Sequence, residues 1–288
     1  MINDIFLNQI KKYNPTNIDE IKNAMKEVLQ DIILSGLGKT DFFKYAVFYG
    51  GTSLRIFRKL PRFSEDLDFT LLENNSTFDL MSYLVYAKRE LDGVGIDSEI
   101  YGKEKNVETS VDSKYFKFNL KSLFVMSFPE YSSNIVSNEI MSIKVEIEKN
   151  TFQGGITEIK LLTYPSFVQV RTFNMETLFS SKLIAVLNRK WKNRIKGRDF
   201  YDYLFYISSE TKVNIQFLEN GLKKFGFLSE DEILTLERLK NELKNRFMEI
   251  DFENAKKDVI PFVKNNDFFI ESFNKDIFIS TIDLISVA

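Results

Sequence analysis

Two short stretches of this chain carry residue types that do chemistry: Tyr49-Gly50-Gly51-Thr52-Ser53-Leu54-Arg55 and Arg62-Phe63-Ser64-Glu65-Asp66-Leu67-Asp68-Phe69. In the first, a short apolar run ends in two glycines, which let the backbone come close to a ligand. Thr52 and Ser53 have the hydroxyls favoured at a helix start. A helix N-terminus presents free amides and suits an anion such as a triphosphate. In the second stretch, Asp66-Leu67-Asp68 opens an apolar strand. Side chains alternate along a strand, so Asp66 and Asp68 share one face while Leu67, Phe69 and Leu71 turn to the core. Two neighbouring carboxylates repel, and a hard cation relieves the repulsion. Magnesium takes one or two carboxylates together with phosphate oxygens. The run Ile143-Lys144-Val145-Glu146-Ile147-Glu148 alternates in the same way. If it neighbours the Asp66–Asp68 strand, Glu146 completes a three-carboxylate site for two Mg2+ ions, one activating a hydroxyl and one neutralising pyrophosphate. Glu148 shares its face, so the choice between the two glutamates stays open at this stage.

The elements that must position these residues follow from periodicity. Residues 1–45 read as helical, with Ile21, Met25, Val28, Leu29 and Ile32 at helical spacing. Residues 46–172 mix strands (46–49, 67–71, and runs near 96–101, 114–128, 140–149 and 158–171) with helices over 52–59 and 78–91. From residue 174 the pattern is helical: 175–194, 199–208, 214–225, 230–247 and 267–285. The fold class is therefore α+β: a mixed sheet with flanking helices, then a C-terminal helical bundle. The expected division is a catalytic domain over 1–172, including the N-terminal helices, and a helical domain over 173–288 packed against it.

Composition narrows the chemistry. The 288 residues contain no histidine and no cysteine, which excludes imidazole bases, Ser-His-Asp triads, disulfides and zinc held by sulfur. Carboxylates, lysine, arginine, hydroxyls and oxygen-bound cations remain. The formal charge of −2 gives no global basic field, so a nucleic-acid partner needs a local patch. One lies at Arg189-Lys190-Trp191-Lys192-Asn193-Arg194. It reads either as a solvated helix end or as a landing strip for RNA phosphates, with Trp191 stacking a base. The start of the chain lacks the basic and apolar regions of a signal peptide, and no run reaches the 18 apolar residues of a membrane span. A soluble cytoplasmic protein is expected.

The glycine and Asp-x-Asp stretches are followed by Leu178-Phe179-Ser180-Ser181-Lys182-Leu183-Ile184-Ala185-Val186-Leu187 and by Arg198-Asp199-Phe200-Tyr201-Asp202-Tyr203. In this order the four segments resemble the AbiEii/AbiGii toxin family of nucleotidyltransferases, which includes the MenT toxins. The resemblance implies a nucleotidyltransferase-type sheet and Mg2+-dependent transfer of a nucleotide from an NTP to an acceptor, with RNA such as tRNA the expected one. It implies a toxin of a type IV toxin–antitoxin or abortive-infection system active in phage defence, whose cognate antitoxin or regulator is encoded nearby. Residue by residue, Gly50, Gly51 and Thr52 match the phosphate-holding turn, Asp66 and Asp68 the metal pair, and Glu146 the third carboxylate. Lys182 matches the lysine that holds the triphosphate, and Asp199 the essential aspartate of the Arg-Asp motif. Tyr203 stands where the family usually has leucine. The expected catalytic set is Asp66, Asp68, Glu146, Lys182 and Asp199. The nucleotide set is Gly50, Gly51, Thr52, Ser53, Arg55, Arg62, Ser64 and Lys182, and the acceptor set is Arg189, Lys190, Lys192 and Arg194.

Plainer readings stand beside these. Lys182 follows Phe179 by three and precedes Val186 by four, on the core-facing side of its helix, where an ammonium needs an anion. A triphosphate serves, and so does Asp199. Asp199 itself reads alternatively as a helix N-cap. Two other functions use the same residues differently: a GTP- or NTP-binding toxin that transfers only phosphate or nothing, and a non-enzymatic interaction protein with structural carboxylates.

Overall fold

The structure, a computed structural model, describes residues 2–102, 110–190, 195–264 and 267–288. The chain divides into two compact units, one comprising Met1–Ser53, Phe63–Thr151 and Ile159–Thr172, the other Leu54–Arg62, Phe152–Glu158 and Phe173–Ala288. In chain order the elements up to residue 173 are α1 (Ile2–Lys11), α2 (Ile18–Gly38), α3 (Phe42–Tyr45), β1 (Ala46–Tyr49), α4 (Gly50–Arg58), β2 (Leu67–Leu71) and α5 (Leu80–Gly93). They continue with β3 (Glu99–Gly102), β4 (Val111–Asn119), α6 (Leu120–Ser127), β5 (Ile140–Glu148), β6 (Thr157–Leu162) and β7 (Val168–Phe173).

The strands form one seven-stranded mixed sheet in the order β3-β4-β5-β2-β1-β7-β6. Strand β2 runs antiparallel to β1 and parallel to β5, and β4 lies antiparallel to both β3 and β5. The alternation read in the sequence sets the faces. Ile143, Val145 and Ile147 of β5 are buried, as are Leu67, Phe69 and Leu71 of β2, while Lys144, Glu146 and Glu148 are half-buried on the other side. Helix α2 starts behind Asn17, whose side chain accepts the Glu20 amide, satisfying one of the orphan donors of the first turn. It buries Ile21, Met25, Val28, Leu29 and Ile32 and packs against α5; each such side chain contributes about 1.5–3 kcal/mol.

Several elements differ from expectation for identifiable reasons. The helix expected over 52–59 begins earlier, at Gly50, so Thr52 and Ser53 sit inside its first turn and do not cap it. The strand expected over 114–128 stops at Asn119, whose side chain accepts the Ser122 amide and starts α6. Leu120, Leu123 and Phe124 are then buried at helical spacing; a continuous apolar run does not show where its period changes. The run 158–171 is two strands with Tyr164-Pro165 between them, and proline cannot extend a ladder.

The second unit is mainly helical: α7 (Met175–Asn188), α8 (Gly197–Ser208), α9 (Ile215–Lys224), α10 (Leu236–Glu249), α11 (Phe252–Val259), α12 (Phe268–Glu271) and α13 (Lys275–Ser280). Thr235 caps α10, so that helix starts later than expected, and Asp251 caps the unforeseen α11. Asp267 and Asn274 restart the chain as two short helices where one long helix was expected. Its core is aromatic. Phe278 stacks on Phe252 at 4.3 Å between centroids and meets Phe247, Phe200 and Phe273 edge-on. Helices α8 and α11 touch at Gly197, where an added Cβ would lie 1.8 Å from the Ala255 carbonyl oxygen.

Candidate active site

The carboxylates of the first unit are set by strand register. Asp68 lies opposite Tyr49 of β1 on one side and Glu146 of β5 on the other, and Glu148 lies opposite Thr70. Between the two candidate glutamates, register therefore puts Glu146 level with Asp68. Asp66 ends the loop immediately before β2, and Asp66 and Asp68 are both half-buried. The glycine turn is in contact with this pair. Gly50 has φ +79°, and a Cβ there would come 2.7 Å from Asp68 Oδ2. Only a residue without a side chain takes this backbone shape and leaves room for the carboxylate.

Glu146 is already engaged. Its Oε1 accepts the Ser113 hydroxyl at 2.6 Å and pairs with Lys144 Nζ at 2.6 Å. Partial burial works against the Lys144 charge, but Glu146, and Asp66 at longer range, outweigh it and raise its pKa. Among the described residues, no three carboxylates are gathered closely enough to enclose a metal ion.

Two hydrogen bonds hold the chain that delivers Asp66. Thr52, fully buried, donates its hydroxyl to the Asp66 carbonyl. Gln30, also fully buried on α2, donates from Nε2 to the Ser64 carbonyl at 3.1 Å, and Lys26 pairs with Glu65 at 2.9 Å. Ser53 exchanges a hydrogen bond with Thr172 at 2.8 Å in the interior. The hydroxyls of Thr52 and Ser53 are thus committed within the protein, while Gly50 and Gly51 stand at the start of α4.

In the second unit a different cluster forms. Asp199 and Asp202 lie one helical turn apart on α8 and are 1% and 0% exposed. Arg62 grips Asp202 with two hydrogen bonds of 2.7 Å. Lys182 of α7 reaches Asp199 at 2.7 Å and Asp202 at 2.9 Å, and Arg189 pairs with Asp199. Burial pushes the Asp199 carboxyl up, but the charges of Lys182, Arg189 and Lys196 outweigh it and hold it well below the usual range. Asp202 is lowered in the same way, against burial, by Arg62 and Lys182. Burial lowers the Lys196 ammonium, partly offset by Asp199 and reinforced by Arg189 and Lys182. Asp199 sits within the first turn of α8, behind Lys196, and serves the ion cluster where an N-cap was the alternative.

The expected residues are divided between the two units. Gly50, Gly51, Thr52, Ser53, Ser64, Asp66, Asp68 and Glu146 belong to the first unit; Arg55, Arg62, Lys182, Asp199, Arg189 and Lys190 belong to the second. Arg55 donates to the carbonyls of Leu60 and Pro61, closing the turn after α4. Arg189 and Lys190 follow α7 and are exposed, whereas Trp191, Lys192 and Arg194 of the acceptor patch lie outside the described residues. The sequence pattern contains Asp202 and Lys144 without assigning either a role, and does not point to Ser113 or Gln30. Asp202 was recoverable from its spacing of three after Asp199, which puts both on one helical face. Ser113 and Gln30 carry no local signal, because strand pairing and helix packing place them.

A mixed sheet that sets an Asp-x-Asp strand against a Gly-Gly helix start is the architecture of a nucleotidyltransferase. The chain belongs to the family described as nucleotidyl transferase AbiEii toxin of type IV toxin–antitoxin systems, whose sequence profile matches residues 32–274. Membership makes it a nucleotidyltransferase-family enzyme and toxin, with an NTP substrate and an antitoxin partner. Its fold is similar to that of the MenT4 nucleotidyltransferase toxin of Mycobacterium tuberculosis, with TM-score 0.60 and 14% identity over 96% of this chain and 88% of that one. JHP933 of Helicobacter pylori is similar over 91% and 90% of the two chains, at TM-score 0.50 and 19% identity. No curated protein matches in sequence. Among the described residues, no helix is long and apolar enough to cross a membrane.

Proposed function

We propose that the protein is a magnesium-dependent transferase that moves a nucleoside monophosphate from an NTP to an RNA acceptor, with tRNA the first to test. The observation that supports this most directly is the register of Asp68 with Glu146 across β2 and β5, with Gly50 against Asp68. The donors are hard oxygens with no thiol or imidazole among them, which suits magnesium. When bound, the ion stabilises the charge that develops on the phosphoryl oxygens and the departing pyrophosphate. Asp66 and Asp68 orient that ion. The amides at the start of α4, exposed by Gly50 and Gly51, receive phosphate oxygens. Thr52 and Gln30 hold the Asp66 segment in place.

The second-unit cluster enters the proposal on its own charge count. Arg62, Lys182, Arg189 and Lys196 face two aspartates, Asp199 and Asp202. This excess of cations suits a phosphate anion, with Lys182 and Asp199 as the lysine and the carboxylate that hold the group together. Arg189 and Lys190, both exposed, together with Lys192 and Arg194, are proposed to meet the acceptor's phosphates.

The test is transfer of label. Purified protein with Mg2+ and each NTP labelled at the α-phosphate should label RNA, and Asp68→Asn should abolish the product. Movement of γ-label in its place would make the protein a phosphoryl transferase. No transfer from any NTP to a broad RNA pool would remove the proposal.

A further inference from the structure

Resting on the transferase reading above, we infer that the open face of the sheet beyond Glu146 is a track for a single-stranded RNA acceptor, with the rings of Tyr115 and Tyr101 stacking bases and Lys117 meeting a phosphate. Strand register builds the track. Glu146 is level with Asp68 on β2 and with Ser113 on β4. Alternation puts Tyr115 and Lys117 on the same face of β4 as Ser113, while Phe116 and Phe118 between and beyond them are buried on the other. Tyr115 lies opposite Lys144 of β5 on one side and Tyr101 of β3 on the other. Lys117 lies opposite Ser142 and Glu99. At a strand spacing of about 4.8 Å, Tyr115 stands about 10 Å and Tyr101 about 14 Å from the strand that carries Asp68.

The chemistry of this face suits unpaired bases. Tyr101 is 44% exposed on the end strand of the sheet, and Tyr115 beside it is half-buried. Aromatic side chains on neighbouring strands of an open sheet face stack successive bases of a single strand, and a duplex offers them none. Lys117 Nζ lies 4.1 Å from the Tyr101 ring centroid. An ammonium over an exposed ring is held more weakly than a base stacked on the same ring. An arriving base therefore displaces it, and the displaced charge is in place for the adjoining phosphate. Glu99 stands opposite Lys117 and Lys144 is engaged by Glu146, so the face is not basic as a whole. Stacking supplies the grip, and Lys117 a small salt dependence.

Fluorescence anisotropy of the full-length protein with a labelled single-stranded RNA of roughly ten nucleotides, and no NTP present, reads the track apart from the reaction. Tyr101→Ala and Tyr115→Ala should each weaken binding by about 5- to 150-fold, the range for loss of one stacked base. Tyr101→Phe and Tyr115→Phe keep the ring and should bind as wild type does. Lys117→Met should lower the slope of log affinity against log salt by about 0.7. Tyr86 on α5 is an exposed ring of the same kind, with Arg89 4.9 Å from its centroid, but it lies on no strand of the track. Tyr86→Ala should change nothing. Tyr101 is exposed, so its alanine variant is the one least at risk of misfolding, and circular dichroism checks it. A folded Tyr101→Ala protein that binds as well as wild type overturns the inference. So does a wild type that has no affinity for the single strand or prefers the same sequence as a duplex. A wild-type dimer that dissociates in Tyr101→Ala would give the face to a second copy of the chain and overturn it too. If RNA binds on the track and no α-label is transferred, the reaction reading fails and the binding surface stands.

Discussion

Aspartate and lysine occur together in both units of this protein, in very different surroundings. In the first unit Asp66 and Asp68 are half-buried at the mouth of a sheet, beside a glycine turn, and the nearby lysine belongs to Glu146. In the second, Asp199 and Asp202 are buried to within 1% and locked by Arg62, Lys182 and Arg189. The Asp199 and Asp202 carboxylates are buried among cations, whereas Asp66 and Asp68 stand half-buried at the start of a strand. Burial, not residue type, divides the two regions.

The comparison breaks most visibly on removal of one carboxylate from each side. Asp202→Ala strands Arg62 and Lys182 without their shared anion, and breaking a buried pair costs about 3–5 kcal/mol. Urea unfolding should show a loss of that size in the helical unit, and a loss under about 1 kcal/mol would mean that the cluster is not structural. Asp68→Asn should do the reverse: folding stability within about 1 kcal/mol of wild type, and nucleotidyl transfer down more than about 100-fold, since even indirect partners of a metal are worth 10–100-fold. If Asp68→Asn were as destabilised as Asp202→Ala, the contrast between the regions would collapse.

How far each region could be read beforehand follows from the same contrast. β1 was visible as an apolar run over 46–49 stopped by two glycines, and β2 and β5 as alternation over 67–71 and 143–148; these are local signals, and a face rule then grouped Asp66, Asp68 and Glu146. What puts Glu146, and not Glu148, level with Asp68 is the parallel register of β2 with β5, a long-range property. The helical unit was visible only as periodicity. Its capping residues Thr235, Asp251, Asp267 and Asn274 re-cut the expected helices, because any polar residue in a helical pattern is equally consistent with a solvated face. Arg62 lies in the Asp-x-Asp segment, yet its partner is 140 residues away, so its place in the second cluster had no sequence signal.

A finer cut tests the turn. Gly50→Ala requires φ +79° of a residue with a side chain and directs its Cβ at Asp68 Oδ2; the backbone term alone is about 1–2 kcal/mol. Transfer should fall by about 10-fold or more, and an unaffected enzyme would show that the contact is incidental. Thr52→Val removes the hydroxyl held by the Asp66 carbonyl at nearly constant volume, leaving a buried acceptor short of a partner at about 1–3 kcal/mol. Thr52→Ser should restore both stability and metal affinity. If valine served as well as serine, the bond would have no positioning value.

The smallest effect is a change of slope with pH, and it has opposite signs in the two units. Asp199 is held below its ordinary pKa, so its stabilising contribution is present above about pH 4 and is lost as pH falls through its depressed value. Asp31 behaves the other way. It is buried on α2, its Oδ1 has no hydrogen-bond partner, and burial, with a lesser push from Glu27, raises its pKa well above normal. The folded state therefore binds this proton more tightly than the unfolded chain does. Stability from this group is complete below about pH 4 and declines as pH rises through the raised value. Asp31→Asn carries no charge at any pH and should remove that decline, so thermal melts from pH 5 to 9 should fall less steeply for the variant than for wild type. Parallel curves would mean that Asp31 is ionised and compensated in the folded protein, and the distinction between charges buried with partners and charges buried without them would not hold.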